Sequence, residues 1–327
     1  MTAYSKGIFD INSKEDFEQL TLEAFQYQCI HNPVYKEFIS YLKIDLLLVK
    51  SMDQIPFLPI QFFKSHRVYA SPNNPEIVFT SSGTTGTITS SHYVSELELY
   101  RQSFTKAFEL FYGNINEYCV LALLPSYLER EGSSLVYMAD DLIQKSKHNG
   151  SGFYLHNIDD LKLQIESLKQ KKQKTILLGV SYALMDLADN NCVLDNNFIV
   201  METGGMKGKR KELLKEELHT YLMKGFGVTE IHSEYGMTEL LSQAYNKGKG
   251  IYQCPPWMQV STREVNDPFS KTKPGKTGGI NVIDLANIYS CPFIATQDLG
   301  KIYPGGNFEI IGRFDNSDIR GCNLLVQ

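Results

Sequence analysis

Several familiar signals are missing from this 327-residue chain, and each gap removes a class of protein. No run of ~18 or more apolar residues occurs, so no transmembrane helix is expected. The opening Met1-Thr2-Ala3-Tyr4-Ser5-Lys6 is not followed by the apolar core of a secretion signal. Positive charge is not in surplus: 32 Lys and Arg stand against 37 Asp and Glu, a net charge of -5. A nucleic-acid binder shows a basic footprint, so no nucleic-acid partner is expected. Six cysteines, at 29, 119, 192, 254, 291 and 322, include no C-x-x-C pair. Without a secretion signal they read as reduced thiols of a cytoplasmic protein rather than a disulfide framework. The Walker pattern is absent as well, because Gly275-Lys276-Thr277 is preceded by Ser270 where that loop needs glycine. No Gly-x-Gly-x-x-Gly follows a strand. His232 and Cys254 make two zinc candidates where structural sites use four. No internal repeat or low-complexity tract is seen.

What remains is 43% hydrophobic and 21% charged, enough apolar material for a large core. Helical spacing runs from about Lys14 to Leu47, with a break at Asn32-Pro33. A second helix is expected over Val94–Phe111, with Leu97, Tyr100, Phe104 and Phe108 as its stripe. Further helices are expected over Leu135–Ile143, Lys162–Gln173 and Gly208–Lys224, the last with Leu213, Leu214, Leu218 and Leu222 inward. Three apolar runs, Tyr118–Leu124, Thr175–Val180 and Asn197–Glu202, read as buried strands. Strands alternating with helices indicate parallel βαβ units. Past residue 245 short apolar runs among Pro, Gly and Thr suggest a small antiparallel region. The expected organisation is an α/β region over 1–245 and a smaller β-rich region over 246–327, together one large domain of layered parallel and mixed sheets with flanking helices.

The most informative stretch is Ser81-Ser82-Gly83-Thr84-Thr85-Gly86, just after the apolar run Ile77–Thr80. Glycines permit a tight turn and close approach to a ligand, and hydroxyls add donors without charge. Backbone N–H groups in such a loop cradle phosphate oxygens. Three more motifs follow in order. Gly204-Gly205-Met206-Lys207-Gly208 lies after a strand. Ser233-Glu234-Tyr235-Gly236-Met237-Thr238-Glu239 is placed at a strand-to-helix junction. Gln297-Asp298-Leu299-Gly300 is followed by Ile311-Gly312-Arg313-Phe314-Asp315. Each alone reads as a turn, a cap or a surface ion pair. Four in one order are far less common.

In this order they resemble the adenylate-forming enzymes, the superfamily of acyl-CoA synthetases and luciferase. The resemblance implies that Ser81, Ser82, Gly83, Thr84, Thr85 and Gly86 bind ATP phosphates. It places Tyr235, Gly236 and Met237 beside the adenine, and Thr238 and Glu239 at phosphate and Mg²⁺. Gly204 and Gly205 fall where the family has a glycine segment near the adenine, while Asp298 and Arg313 correspond to its ribose-binding pair. The residue types agree: Glu239 is a hard oxygen ligand, Tyr235 has an aromatic face, and Asp298 accepts from two hydroxyls. Leu124-Pro125-Ser126-Tyr127-Leu128-Glu129-Arg130, Ser133-Ser134-Leu135 and Arg320-Gly321-Cys322 are similar to the acyl-protein synthetase group, the LuxE-type subunit of fatty acid reductase. That likeness runs from about residue 15 to the end. It implies that Cys322 carries an acyl thioester and that a reductase subunit or carrier protein accepts the group. Ser126 and Tyr127 are candidates for the acyl pocket.

Two departures stand out. The lysine that many adenylate-forming enzymes have three residues past the loop is Thr89 here, leaving Mg²⁺ or Lys207 to balance phosphate charge. The superfamily's small C-terminal domain, with its catalytic lysine, is not expected in a chain that stops at Gln327. The expected function is ATP-dependent activation of a fatty or other carboxylic acid and transfer to a thiol. The alternatives are an acyltransferase using Cys322 with a preformed donor and a nucleotide-binding subunit without turnover.

Overall fold

The computed structural model describes residues 7–82, 88–125, 132–204, 210 and 213–314. The chain forms two compact units, one from Met1–Pro72 with Pro256–Gln327 and the other from Asn73–Pro255.

The chain begins in the first unit with helix α1 (Lys14–His31). A capping box fixes its start: Asp16 N donates to Ser13 Oγ at 3.0 Å, and Ser13 N donates to the Asp16 carboxylate at 3.1 Å. Asn32 ends α1 and caps α2 (Pro33–Tyr41), accepting from Tyr35 N at 3.2 Å. Proline suits the first helical position because the N–H it lacks would be unpaired there anyway. The expected break is therefore present, and the helical run stops at Tyr41 rather than Leu47. The buried amides of Gln28 and Asn32 donate to the carbonyls of Ile288 and Ser290 at 2.6 and 2.7 Å, tying α1 to the C-terminal part of the same unit. Strand β1 (Leu58–Pro59) and the short helix α3 (Phe62–Ser65) complete this segment.

The second unit starts with a hairpin of β2 (Ile77–Thr80) and β3 (Ser91–Val94). Ile77 is opposite Val94, and Thr80 is opposite Ser91. Then follow α4 (Leu97–Tyr112), β4 (Cys119–Leu123), α5 (Ser134–Ser146), β5 (Gly152–Phe153), α6 (Ile158–Gln170), β6 (Thr175–Val180), α7 (Ser181–Ala188), β7 (Phe198–Thr203), α8 (Lys215–Phe226) and β8 (His232–Tyr235). Strands β5, β4, β6, β7 and β8 lie side by side in that order and are parallel. Every residue of β4 and β6 is buried, which explains their unbroken apolar sequence. Two antiparallel strands, β9 (Ala244–Lys247) and β10 (Tyr252–Gln253), extend this sheet past β8.

Two local expectations differ from the structure. Helix α8 starts at Lys215, not Gly208, and Leu214 is its exposed N-cap residue. Its inward positions are Leu218, His219, Leu222 and Phe226. The leucines at 213 and 214 continue the spacing by chance, because periodicity does not see where backbone hydrogen bonding begins. No helix follows β8 either. Leu240 N donates to Met237 O at 3.1 Å, closing a turn that leads into antiparallel β9. Thr238-Glu239 before Leu240-Leu241 mimics a helix cap in sequence only.

Back in the first unit, β11 (Met258–Arg263), β12 (Gly278–Asp284), β13 (Phe293–Ile302) and β14 (Phe308–Arg313) form consecutive antiparallel neighbours, with β1 parallel to β13. These strands are antiparallel, as expected of the sequence past residue 245. The α/β class, with parallel and mixed sheets and an antiparallel part, is the observed one. Among the described residues no helix is long and apolar enough to cross a membrane.

Candidate functional site

Parallel strands put their carboxyl ends on one edge of a sheet, where α/β proteins bind ligands. In the second unit Leu124-Pro125 follows β4, Gly204 follows β7, and Gly236–Glu239 follows β8. Gly204 has φ +66°, a left-handed conformation that suits glycine. A Cβ on Gly236 would meet the Glu234 carboxylate, which would have to shift to make room.

The β2–β3 hairpin carries Ser81 and Ser82. Ser81 N donates to Ser90 O at 3.1 Å, and Ser90 N donates to Ser81 Oγ at 2.9 Å, so the two serines close the base of the intervening loop. Thr80 N donates to Gly132 O at 2.7 Å. From the other strand, His92 reaches Thr238 O at 2.8 Å through Nδ1. A carbonyl only accepts, so Nδ1 carries the hydrogen. Burial pushes His92 down to about 4, and its ring is neutral near pH 7. The contact joins two sequence motifs 146 residues apart.

Strands β7 and β8 carry two buried carboxylates near their ends that sequence reasoning gave no role. Glu202 forms an ion pair with Lys215, accepts from Ser181 Oγ at 3.4 Å, and has His219 Nε2 at 3.5 Å. Burial raises its carboxyl, but Lys215 and the hydrogen bonds outweigh this and hold it at about 2. Glu234 accepts from the Thr203 hydroxyl and, among the described residues, forms no ion pair. Burial, aided by the charge of Glu202, pushes it up to about 7. The sheet separates the two environments: Glu202 is opposite Ser233 in the register, so Glu234 is the next position along and points to the other face. The available sequence signal was a carboxylate at the end of an apolar strand, Glu202, and one inside a quoted motif, Glu234. Tyr235, nearly buried, meets Tyr252 edge-on with centroids 5.9 Å apart.

Thr238 and Glu239 are neighbours in the turn after β8, with Glu239 buried and Thr238 half-buried. A hydroxyl and a carboxylate are hard oxygen donors that fit Mg²⁺, which binds through one or two carboxylates together with phosphates and water. Among the described residues no cluster of three or more His, Cys, Asp or Glu suits a metal ion, so an all-protein cage is not what these side chains offer.

In the first unit Asp298 and Arg313 are direct register partners on β13 and β14. Arg313 Nε lies 3.3 Å from Asp298 Oδ1. Asp298 is buried while Arg313 is 73% exposed, so the pair itself contributes little stability. Gly83, Thr84, Thr85, Gly86, Ser126, Tyr127, Gly205, Lys207 and Cys322 lie outside the described residues.

Residues 9–123 match the profile of the family described as acyl-protein synthetase, LuxE. No curated protein sequence matches significantly. Among solved structures, 2-hydroxyisobutyryl-CoA ligase in the postadenylation state, in complex with 2-HIB-AMP, is 12% identical, with a TM-score of 0.67, covering 93% of this chain and 69% of that one. Its open conformation with 2-HIB-AMP and CoA gives the same identity and TM-score over 94% and 77%. ATP-bound MatB from Rhodopseudomonas palustris is 18% identical, with a TM-score of 0.54 over 72% of this chain and 47% of that one. The chain thus spans about half the length of MatB. The LuxE match is confined to the first part of the chain, a shorter stretch than the sequence likeness suggested. This protein therefore carries the LuxE acyl-protein synthetase pattern over residues 9–123 on the fold of the adenylate-forming acyl-CoA ligases.

Proposed function

We propose that this chain uses ATP to activate a carboxylic acid, a fatty acid by resemblance, as its acyl-adenylate, and that Cys322 then takes the acyl group. A free carboxylate is a poor acyl donor because its leaving group would be oxide. When a carboxylate oxygen attacks the α-phosphorus, the new O–P bond replaces the bond to pyrophosphate and AMP becomes the leaving group. Attack by the Cys322 sulfur then breaks the acyl–AMP bond, and the thiol proton passes to solvent.

In this reading Ser81, Ser82 and Gly83–Gly86 grip the phosphates through hydroxyls and backbone N–H groups. Thr238 and Glu239 would hold Mg²⁺, which when bound neutralises phosphate charge. Lys207 adds the positive charge that Thr89 does not supply. Tyr235 and Gly204-Gly205 flank the base, Asp298 and Arg313 take the ribose hydroxyls, and Ser126 and Tyr127 line the acyl pocket. The acceptor after Cys322 is a reductase subunit or carrier protein.

The observation that carries this reading is the 2.8 Å bond from His92 to Thr238, which brings the strand leaving the phosphate loop against the Tyr-Gly-Met-Thr-Glu turn. The test is intact-mass spectrometry after incubation with ATP, Mg²⁺ and a panel of carboxylic acids, with pyrophosphate release followed in parallel. The expected result is an acyl adduct that needs ATP and is lost in Cys322→Ser. An adduct from a preformed acyl donor without ATP points to an acyltransferase. Nucleotide binding without pyrophosphate release points to a subunit without turnover. Either outcome overturns the proposal.

A further inference from the structure

We propose that His92 is a positioning residue, whose ring holds the Tyr235–Glu239 turn in register with the hairpin that carries the Ser-Gly-Thr-Thr-Gly loop. Its value to catalysis rests on the nucleotide reading above, while its mechanical role rests on geometry alone.

The place is a costly one for an imidazole. His92 is 1% exposed, and its register partner across the hairpin, Phe79, is fully buried. The next inward position on β3 is Val94, the residue type such a strand ordinarily buries. A polar ring in this setting costs free energy unless its N–H is used. Here Nδ1–H is used, and its acceptor is a main-chain carbonyl in the middle of a motif. A side chain to main chain bond of this kind fixes the backbone whatever the Thr238 side chain does.

In the turn it grips, Gly236, Met237 and Thr238 are half-buried between the buried Tyr235 and Glu239, and the Leu240 to Met237 bond closes the turn internally. The hairpin is fastened at several points. Ser81 and Ser90 close the loop base, and Thr80 N holds Gly132 O. Gly132 has φ +79°, and a Cβ on it would lie 3.3 Å from Thr80 Oγ1, so the chain at Gly132 rests directly on β2. The two-stranded frame is thus held at Ser90 and Gly132, and His92 links it to the turn after β8. Misplacing a catalytic segment by about 1 Å can lower a rate about 100-fold without abolishing binding.

The variants are His92→Phe, which keeps a buried ring without the donor, and His92→Asn, whose amide N–H takes the place of Nδ1–H. Acid-dependent pyrophosphate release should fall in His92→Phe by about 100-fold in kcat, with KM for ATP little changed, and recover in His92→Asn. In the nucleotide-free protein, amide exchange over 236–240 and 88–91 should quicken together in His92→Phe and stay near wild type in His92→Asn. If His92→Phe does not fold, His92→Gln replaces it, because the longer amide cannot donate from the Nδ1 position. Wild-type kcat and exchange in the donor-less variant would overturn the proposal. Loosened exchange in a chain whose wild type does not turn over ATP would leave the positioning link intact and overturn the nucleotide reading alone.

Discussion

At the scale of single residues, the second unit sets two carboxylates on adjacent strands in opposed electrostatic settings. Glu202 keeps its charge because Lys215 compensates it, whereas Glu234, among the described residues, has a hydroxyl donor and no ion pair. An unfolded glutamate titrates near ~4.3, and folded Glu234 near about 7. Between these values the native state holds more protons than the unfolded state, so this group's contribution falls as pH rises from roughly 4.3 to 7. His92 and His232 act in the opposite sense, because burial lowers both and their contributions grow with pH. Glu202, held at about 2, contributes above the ordinary glutamate range and changes only in more acid solution. Glu234→Gln isolates the first effect, since glutamine mimics the protonated acid and still accepts from Thr203. Its stability relative to wild type should rise by on the order of 3 kcal/mol between pH 4.5 and 7.5, measured by urea unfolding at both pH values. A difference that does not change with pH would show that Glu234 is an ordinary carboxylate. The Tyr235-Gly236-Met237-Thr238-Glu239 motif was legible because its residue types and spacing are its signature. Glu234 and His92 were not, because their meaning comes from Thr203 and Thr238, partners 31 and 146 residues away.

At the scale of elements, helix α8 meets the end of α7 at a glycine. A Cβ on Gly225 would lie 2.6 Å from Ala188 Cβ and 3.3 Å from its Cα, so backbone as well as side chain is in the way. Alanine in place of a helical glycine gains about 1 kcal/mol of intrinsic propensity. Overpacking against a contact this rigid costs about 1–3 kcal/mol, so the clash wins. Gly225→Ala should therefore destabilise the protein by about 1 kcal/mol, and adding Ala188→Gly should recover part of the loss, a non-additive pair. Denaturant midpoints of the two single variants and the double variant decide it; strictly additive effects would mean that the helices do not touch there. The same balance of signals explains what could be read of the elements. Strands β4 and β6 were legible because strands buried on both faces are apolar throughout. The start of α8 was not, because Leu213 and Leu214 fit a helical stripe without belonging to the helix. The turn after β8 was read as a helix cap because Thr-Glu before two leucines serves either purpose.

At the scale of the whole molecule, no sequence pattern announced that the first 72 residues pack with the C-terminal strands. That association rests on contacts such as Gln28 to Ile288, 260 residues apart. The alternation of strands and helices gave the fold class, and long-range pairing supplied the rest. Nucleotide binding offers a test at this same scale, because a ligand that binds only the native state stabilises it in proportion to the logarithm of its concentration. At a concentration 100 times Kd the gain is about 2.7 kcal/mol. For a chain of this size, a gain of that order raises the melting midpoint by roughly 5 °C. Glu239 is the predicted acidic partner of the metal, so the rise should depend on it in a specific way. Wild-type protein should gain more from ATP with Mg²⁺ than from ATP with EDTA. In Glu239→Gln, which keeps the volume and loses the charge, the two shifts should coincide at the smaller value. Equal shifts with and without Mg²⁺ in the wild type would remove the metal from the site. A Glu239→Gln variant that kept the full Mg²⁺ dependence would move the metal to other ligands, because an amide oxygen cannot replace a carboxylate's charge in holding a hard dication.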